Sequence, residues 1–163
     1  MVATLEPSAY TIILRNTQGL TGIGVVEIYD IDPLESSSAF GNLSSRGFVG
    51  VDHEVLIGGV IVFGDTKVLL RAMGPSLSSQ GVDGALPDPS MEVFDADGNL
   101  LASNDNWPSD QAAEIIATAA PPNDLRESAI VTTLSDGAYT AIVRGVNSST
   151  GVALVEAYLL PDQ

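Results

Sequence analysis

The chain has 163 residues, of which 45% are apolar and 17% are charged. This balance excludes a disordered chain, because it supplies enough apolar surface to offset the entropy lost on folding. The 6 Lys and Arg residues against 21 Asp and Glu give a formal net charge of -15 and exclude nucleic acid as a partner, since binding to phosphates needs clustered basic side chains.

The first predicted element is a β-hairpin in residues 4–29. Its two runs, AYTIILR and IGVVEIY, are rich in β-branched and aromatic residues, and the polar, glycine-containing stretch NTQGLTG joins them. A long Ser- and Gly-rich connection is expected at residues 33–46. Two apolar strands, EVLIGGVIVF and KVLLRAM, then flank a short turn at residues 64–66.

The second half continues the pattern of short strands. After another long connection at residues 74–89, MEVFD and NLLAS flank Gly98, which can take the positive φ that closes a hairpin. A helix is predicted in SDQAAEIIATAA, with Ser109 or Asp110 as its N-cap and the prolines at 121 and 122 ending it. The strand SAIVTTL follows and leads into residues 133–158.

Residues 133–158 repeat residues 4–29. The two segments align without gaps at an offset of 129, and 12 of the 26 aligned positions are identical. We therefore predict that both copies form the same β-hairpin. Each copy also has an Arg and a Glu 12 positions apart, and we expect these to form cross-strand ion pairs that set the register: Arg15 with Glu27 and Arg144 with Glu156.

Many short strands with turn residues between them, and at most one short helix, predict an all-β fold, an antiparallel β-sandwich of the jelly-roll type. We expect a single β-sandwich domain over residues 1–163, in which the hairpin of residues 4–29 is a surplus copy. Three roles stay open for it. It pairs within its own chain, it completes the sheet of a neighbouring subunit, or it belongs to a longer array of such repeats.

Hard oxygen ligands flank the predicted hairpin around Gly98. Ca²⁺ prefers carboxylate and amide oxygens of this kind, so the hairpin is a candidate Ca²⁺ site. The alternative is a plain turn with hydrogen bonds from Asx side chains. The candidate ligands are Asp95, Asp97, Asn104 and Asp105.

No catalytic motif stands out in the sequence. His53 is the only histidine, and no G-x-S-x-G element accompanies it. With no cysteine and one histidine, a structural zinc site is not expected. Trp107, the only tryptophan, is a candidate platform for stacking a sugar, or else a lid over the core. We predict that the protein is not an enzyme.

Two motifs resemble a known type of domain. The hairpin DADGNLLASND matches D-x-D-G-x-x-x-x-x-N-D, and GAYTAIV matches G-x-Y-x-x-x-V. Together they resemble the bacterial pre-peptidase C-terminal β-sandwich over residues 88–158, and the wider pattern looks like the tandem β-repeats of large exported bacterial proteins. The resemblance implies a non-catalytic module, and in some relatives Ca²⁺ binds at the acidic hairpin.

We therefore expect a non-catalytic structural module, located outside the cell or at its surface, that self-associates through β-strand edges into a homo-oligomer or filament. Residues 4–29 and 133–158 would make the contacts, because an unpaired apolar strand is a template for a strand from another subunit. The alternative is an accessory module that binds carbohydrate or protein. No apolar run approaches the ~20 residues that cross a bilayer, so no membrane span is expected.

Overall fold

The computed structural model describes residues 1–33 and 40–160. The chain divides into two compact units, Met1–Ala39 and Phe40–Gln163. Every strand assigned in the described residues lies in the second unit. None of the described helices is long and apolar enough to cross a membrane.

The second unit is a sandwich of two four-stranded antiparallel sheets. Their strand orders are β1-β8-β3-β6 and β2-β7-β4-β5, which is the arrangement of a jelly roll. The predicted all-β antiparallel sandwich is therefore confirmed. The strands are β1 (Asn42–Val49), β2 (Leu56–Val62), β3 (Thr66–Met73), β4 (Pro89–Phe94), β5 (Leu100–Asn104), β6 (Ser128–Leu134), β7 (Gly137–Gly145) and β8 (Gly151–Leu159).

The main core lies between the two sheets. Alternate side chains of each strand point inward, because successive residues of a strand face opposite sides of the sheet. In β4, for example, Met91 and Val93 are fully buried while Glu92 between them is partly exposed. Val143 from β7 and Val155 from β8 meet in the same core.

The sheet that contains β3 is also covered on its outer face. Leu69, Ala129 and Val131 form a second apolar cluster with Trp107 and Ile115. These last two side chains come from a 3-10 turn (Trp107–Ser109) and from helix α1 (Ala112–Ala117). This third layer explains why β3 reads as an almost continuous apolar run, since a strand buried on both faces has no exposed alternate positions.

The predicted helix forms, but its N-cap differs from the predicted one. Gln111 is the N-cap, with φ at 49°, in place of Ser109 or Asp110. The side chains expected to cap are used elsewhere: the Ser109 hydroxyl donates to the Asn106 carbonyl oxygen at 2.7 Å, and the Asp110 carboxylate accepts from the Gln111 amide at 2.9 Å. The helix ends at Ala117, ahead of the prolines.

The hairpin prediction is wrong for residues 133–158. Their two runs form β7 and β8 as expected, but β7 lies between β2 and β4 in one sheet and β8 lies between β1 and β3 in the other. The chain crosses from sheet to sheet between Gly145 and Gly151. The two strands turn their apolar faces toward the same core from opposite sheets. We call residues 137–159 the terminal arch.

The other connections agree in part with the predictions. β4 and β5 form the predicted hairpin, closed by Gly98 at φ 81°. Residues 74–89 are a connection containing one 3-10 turn, as expected from their composition. The connection predicted at 33–46 is shorter, because β1 begins at Asn42, and residues 34–39 of it lie outside the described part of the chain.

Residues 1–33 contain no assigned strand or helix, so the predicted hairpin is not formed there. A turn is present at Asn16, whose side-chain oxygen accepts from the Gln18 amide at 2.7 Å and the Leu20 amide at 3.3 Å. Beyond the turn the two runs come together, since a Cβ added at Gly24 would collide with the Leu14 side chain. The segment is folded back on itself without a β-ladder.

Substitution of Gly151, the first residue of β8, should destabilise the sandwich. A Cβ there would lie 2.7 Å from the Gly84 carbonyl oxygen and from the Leu86 amide nitrogen, both backbone atoms that cannot swing away. We expect Gly151→Val to lower the free energy of unfolding by about 1–3 kcal/mol in urea denaturation, as overpacking does. Gly41→Ala is the control, because a Cβ at Gly41 has no atom within 4 Å in the described residues. Equal effects of the two changes would contradict this account.

Candidate functional site

The terminal arch holds the two sheets together at one side of the sandwich. In the sheets of residues 40–160, β1 pairs only with β8 and β2 pairs only with β7. The register places Ser44 opposite Glu156 and Gly58 opposite Ala141. Without the arch, neither β1 nor β2 would have a neighbour in its sheet.

The arch is anchored by a buried polar cluster around Arg71 of β3. The Arg71 guanidinium donates to the Glu156 carboxylate, with the Nε to Oε2 distance at 3.0 Å, and to the Tyr158 hydroxyl at 2.9 Å. A third bond runs to the Ala120 carbonyl oxygen at 2.8 Å. The Arg71 and Glu156 side chains are only 13% and 9% exposed. Tyr158 adds its ring, 4.9 Å from the guanidinium carbon.

The expected ion pair between Arg144 and Glu156 does not form. These residues lie on strands of different sheets, and Glu156 binds Arg71 of the adjacent strand β3. Arg144 instead approaches Glu92 on β4, at 3.7 Å, and donates to the Asp52 carbonyl oxygen at 3.0 Å. A 12-residue spacing brings two side chains together in a hairpin, but in an arch it places them on different sheets.

Neutralising Glu156 should be costly because it leaves a buried guanidinium uncompensated. We expect Glu156→Gln to lower the free energy of unfolding by about 3–5 kcal/mol. The matched control is Lys67→Met, which removes the exposed ion pair between Lys67 and Glu114, both 44% exposed, and should cost no more than ~1 kcal/mol. Urea denaturation measures both, and a cost for Glu156→Gln as small as for the control would show that the cluster does not anchor the arch.

The same cluster should make stability depend on alkaline pH. Burial, and next the negative charge of Glu156, raise the pKa of Tyr158 above its usual value near 10. The folded state therefore holds this proton more tightly than the unfolded state does. The resulting stability is present below about pH 10 and is lost as the pH rises through the raised pKa.

We therefore expect the free energy of unfolding to fall more steeply above pH 10 for the native sequence than for Tyr158→Phe. Chemical denaturation at several pH values between 9 and about 11.5 would give both slopes. Equal slopes would mean that Tyr158 does not contribute to the alkaline loss of stability.

Residues 4–29 keep local contacts of the terminal arch. The Tyr10 hydroxyl donates to the carbonyl oxygen of Glu6 at 2.8 Å, and its counterpart Tyr139 makes the same bond four residues back, to Ser135, at 3.1 Å. At the other end, the Tyr29 hydroxyl donates to Glu27 at 3.3 Å. Tyr158 does the same to Glu156 at 3.1 Å.

The apolar side chains of this first copy are nevertheless exposed. Six residues of the arch point into the sandwich core or pack against it, and their counterparts at the offset of 129 are all apolar or glycine. Five of these counterparts are 44–60% exposed, in contrast to the packed core of the sandwich. The counterparts are Tyr10, Ile12, Leu14, Gly24, Val26 and Ile28.

The two sides of the sandwich differ in whether their strand edges are blocked. The Gln111 side chain bonds the free edge of β6, accepting from the Val131 amide at 3.2 Å and donating to the Val131 carbonyl oxygen at 2.8 Å. Asn104 of β5 accepts from the Ala129 amide at 3.1 Å. At the opposite side, no hydrogen bond of the described residues covers the outer edge of β2, whose exposed side chains include Ile57 and Ile61.

Glu127 joins two loops at one end of the sandwich. It is fully buried, and its Oε1 atom accepts from the Gly74 amide at 2.9 Å, the Ser76 amide at 3.0 Å and the Ser76 hydroxyl at 2.6 Å. Its Oε2 atom accepts from the Asp124 amide at 3.2 Å. No motif in the sequence points to Glu127 or Arg71. The signal in both cases was a charged residue within or directly before an apolar strand.

The structure places the candidate Ca²⁺ ligands at the two ends of β5. Asp95 lies in the hairpin turn, where its carboxylate accepts from the Asn99 amide at 2.8 Å and the Asp97 amide at 3.0 Å. The bonds from Asn99 lower the pKa of Asp95. Asn104 and Asp105 lie at the far end of the five-residue strand, roughly 14 Å away at the usual rise of a strand.

The four candidates are therefore not brought to one point, and no group of three His, Cys, Asp or Glu residues that could hold a metal ion occurs within residues 1–33 and 40–160. Asp105 lies instead near Asp88. Burial raises the pKa of Asp88, and the charge of Asp105 raises it further. Ca²⁺ binding stays a prediction from the sequence.

Trp107 is not placed to stack a sugar. Its side chain packs in the second apolar cluster, the residue is 9% exposed, and its indole N–H donates to the Asp124 carbonyl oxygen at 3.2 Å. Trp107 is therefore a lid over the core, which is the alternative that the sequence left open.

His53 is exposed in the turn between β1 and β2. A polar cavity of about 460 Å³ lies next to β4 and β5 and is lined by Glu92, Asp105 and Arg144 among others.

The chain is similar to a domain of known structure. No protein-family model matches the chain, and no curated protein matches it. Among solved structures, the pre-peptidase C-terminal domain of a collagenase from Bacillus anthracis is similar at 11% identity with a TM-score of 0.46, over 71% of this chain and 88% of that one. This is the type of domain that the two sequence motifs resemble.

Proposed function

We propose that the protein is a non-catalytic structural module, located outside the cell, that self-associates through β-strand edges, with residues 4–29 of one copy supplying strands to the sandwich of the next. The observation that carries the proposal is the first copy of the arch. It repeats a strand pair that belongs in a sandwich, yet its apolar side chains are exposed and it contains no assigned strand.

The open side of the sandwich supports the same function. A strand with free N–H and C=O groups and no guarding charge accepts a strand from another molecule. β2 has the sequence LIGGVIV, without a charged residue or proline. At the opposite side, Gln111 and Asn104 occupy backbone groups at the edge of β6.

The association is expected to be head to tail. The donor segment and the accepting side are different surfaces of one chain, so each copy can give and receive at the same time. Such a contact is heterologous, and where the rotation between copies does not close it builds a filament. A location outside the cell is supported by the resemblance of the two motifs to domains of exported bacterial proteins.

The mass of the native particle tests this function. We expect light scattering at increasing concentration to show assemblies well above the monomer mass of 16.9 kDa. Deletion of residues 1–32 should leave a folded monomer, because the second unit contains all eight strands assigned in the described residues. Ile61→Lys, on exposed β2, should weaken assembly, whereas Leu101→Lys, on the blocked side, should not. A monomeric intact chain, or assembly that survives the deletion, would refute the proposal.

A further inference from the structure

Gly22 and Gly151 are identical positions of the repeat with different surroundings. At Gly151 the backbone of residues 84–86 packs so closely that a Cβ would lie 2.7 Å from two of its atoms. At Gly22 a Cβ would meet no described atom within 4 Å. Glycine in a strand costs conformational entropy. Its presence at position 22 has a physical reason if another backbone comes equally close.

Glu27 and Tyr29 repeat the arginine-binding half of the buried cluster. Their counterparts Glu156 and Tyr158 hold the Arg71 guanidinium between them. In the first copy the bond between the Tyr29 hydroxyl and Glu27 is already present, at 3.3 Å, but both side chains are exposed. No described hydrogen bond or ion pair links Glu27 to an arginine. The site lacks the cation that its chemistry fits.

The two runs of the first copy also face each other as the two strands of the terminal arch do. Leu14 and Gly24, which contact each other in the first unit, correspond to Val143 and Ala153. These two are fully buried core residues on opposite sheets of the sandwich. The first copy is thus folded with its two runs facing each other, as an arch requires, and not paired edge to edge.

We propose that residues 4–29 are the terminal arch of a second sandwich, and that their partner is a second copy of the body that residues 40–132 form in this chain. The inference goes beyond the proposed function, because it gives the segment a position inside a body that lacks its own arch and not at the open edge of β2. The segment inserts in the place of β7 and β8, between the partner's strands equivalent to β1 and β3 and to β2 and β4. Glu27 and Tyr29 then bind the partner's residue equivalent to Arg71.

A partner body that lacks its own terminal arch gains the most strand pairing from residues 4–29. In a complete chain, residues 133–158 already fill this position, and their covalent connection to the body gives them a high effective concentration. A body that lacks them has β1 and β2 without neighbours. Insertion of residues 4–29 restores both pairings at once.

The test is a chain extended at its N-terminus by a copy of residues 40–132, joined so that Thr132 is followed by Thr4 as it is by Thr133 in the native sequence. Amide hydrogen exchange is measured by mass spectrometry at a dilution where the particle is monomeric. We expect residues 9–29 to exchange at least ~100-fold more slowly in the extended chain than in the native chain, as backbone inside a folded sandwich does.

Gly22→Val is the matched variant. In the native chain it should leave the melting temperature unchanged, because a Cβ at Gly22 meets no described atom within 4 Å. In the extended chain it should abolish the protection of residues 9–29, as a side chain at Gly151 would disrupt the native sandwich. Protection that survives Gly22→Val would mean pairing with an open edge such as that of β2, and would overturn the inference.

A second variant separates poor packing from a wrong position. Ile12 and Ile28 are larger than their counterparts Ala141 and Ala157, so the extended chain is also made with Ile12→Ala and Ile28→Ala. Fast exchange of residues 9–29 in both extended chains would overturn the inference. A native chain that stays monomeric would refute self-association but not this inference, which the extended chain tests within one molecule.

Discussion

The fold depends on the insertion of one strand pair into the middle of both sheets. β7 and β8 lie next to strands on each side, and they are the sole neighbours of β2 and β1 in the described sheets. The pair comes last in the chain, after every strand that it must contact. Four of the six strand pairings in the described sandwich therefore involve β7 or β8. A separate segment with the same pattern has the chemistry to make the same pairings.

Two buried charges fix the arch and the layer outside it. Arg71 binds Glu156 and Tyr158 of the arch together with the carbonyl of Ala120, which belongs to the connection that covers the outer face. Glu127 accepts four hydrogen bonds from the loops on either side. Buried ions are tolerated when every polar atom is satisfied. Both residues therefore fix the positions of the arch and the loops through directional hydrogen bonds, which apolar packing alone does not provide.

The local elements were predictable from the sequence for simple reasons. Runs of Val, Ile and Leu bounded by turn residues predicted the strands that became β2 to β8, and Gly98 marked the one hairpin correctly. The arch was mistaken for a hairpin because two apolar runs joined by a short polar stretch have the same pattern in both structures. The pattern specifies one buried face per strand, and it does not specify whether the two faces meet across a core or lie side by side in one sheet. The candidate site shows the same limit, because Glu156 was assigned to Arg144 by spacing while its partner Arg71 is 85 residues away in sequence.

The sequence by itself determined that this is an acidic all-β module with a duplicated strand pair, because composition, alternation and an ungapped repeat are properties of the chain alone. Only the tertiary structure decided what the repeated unit is. It showed that the second copy spans both sheets, that Gly151 meets a third backbone segment and that Glu156 meets an arginine from β3. These contacts join residues far apart in sequence, so the sequence alone could not predict them. The roles that we propose for Gly22 and Glu27 follow from the contacts of their counterparts in the folded second copy.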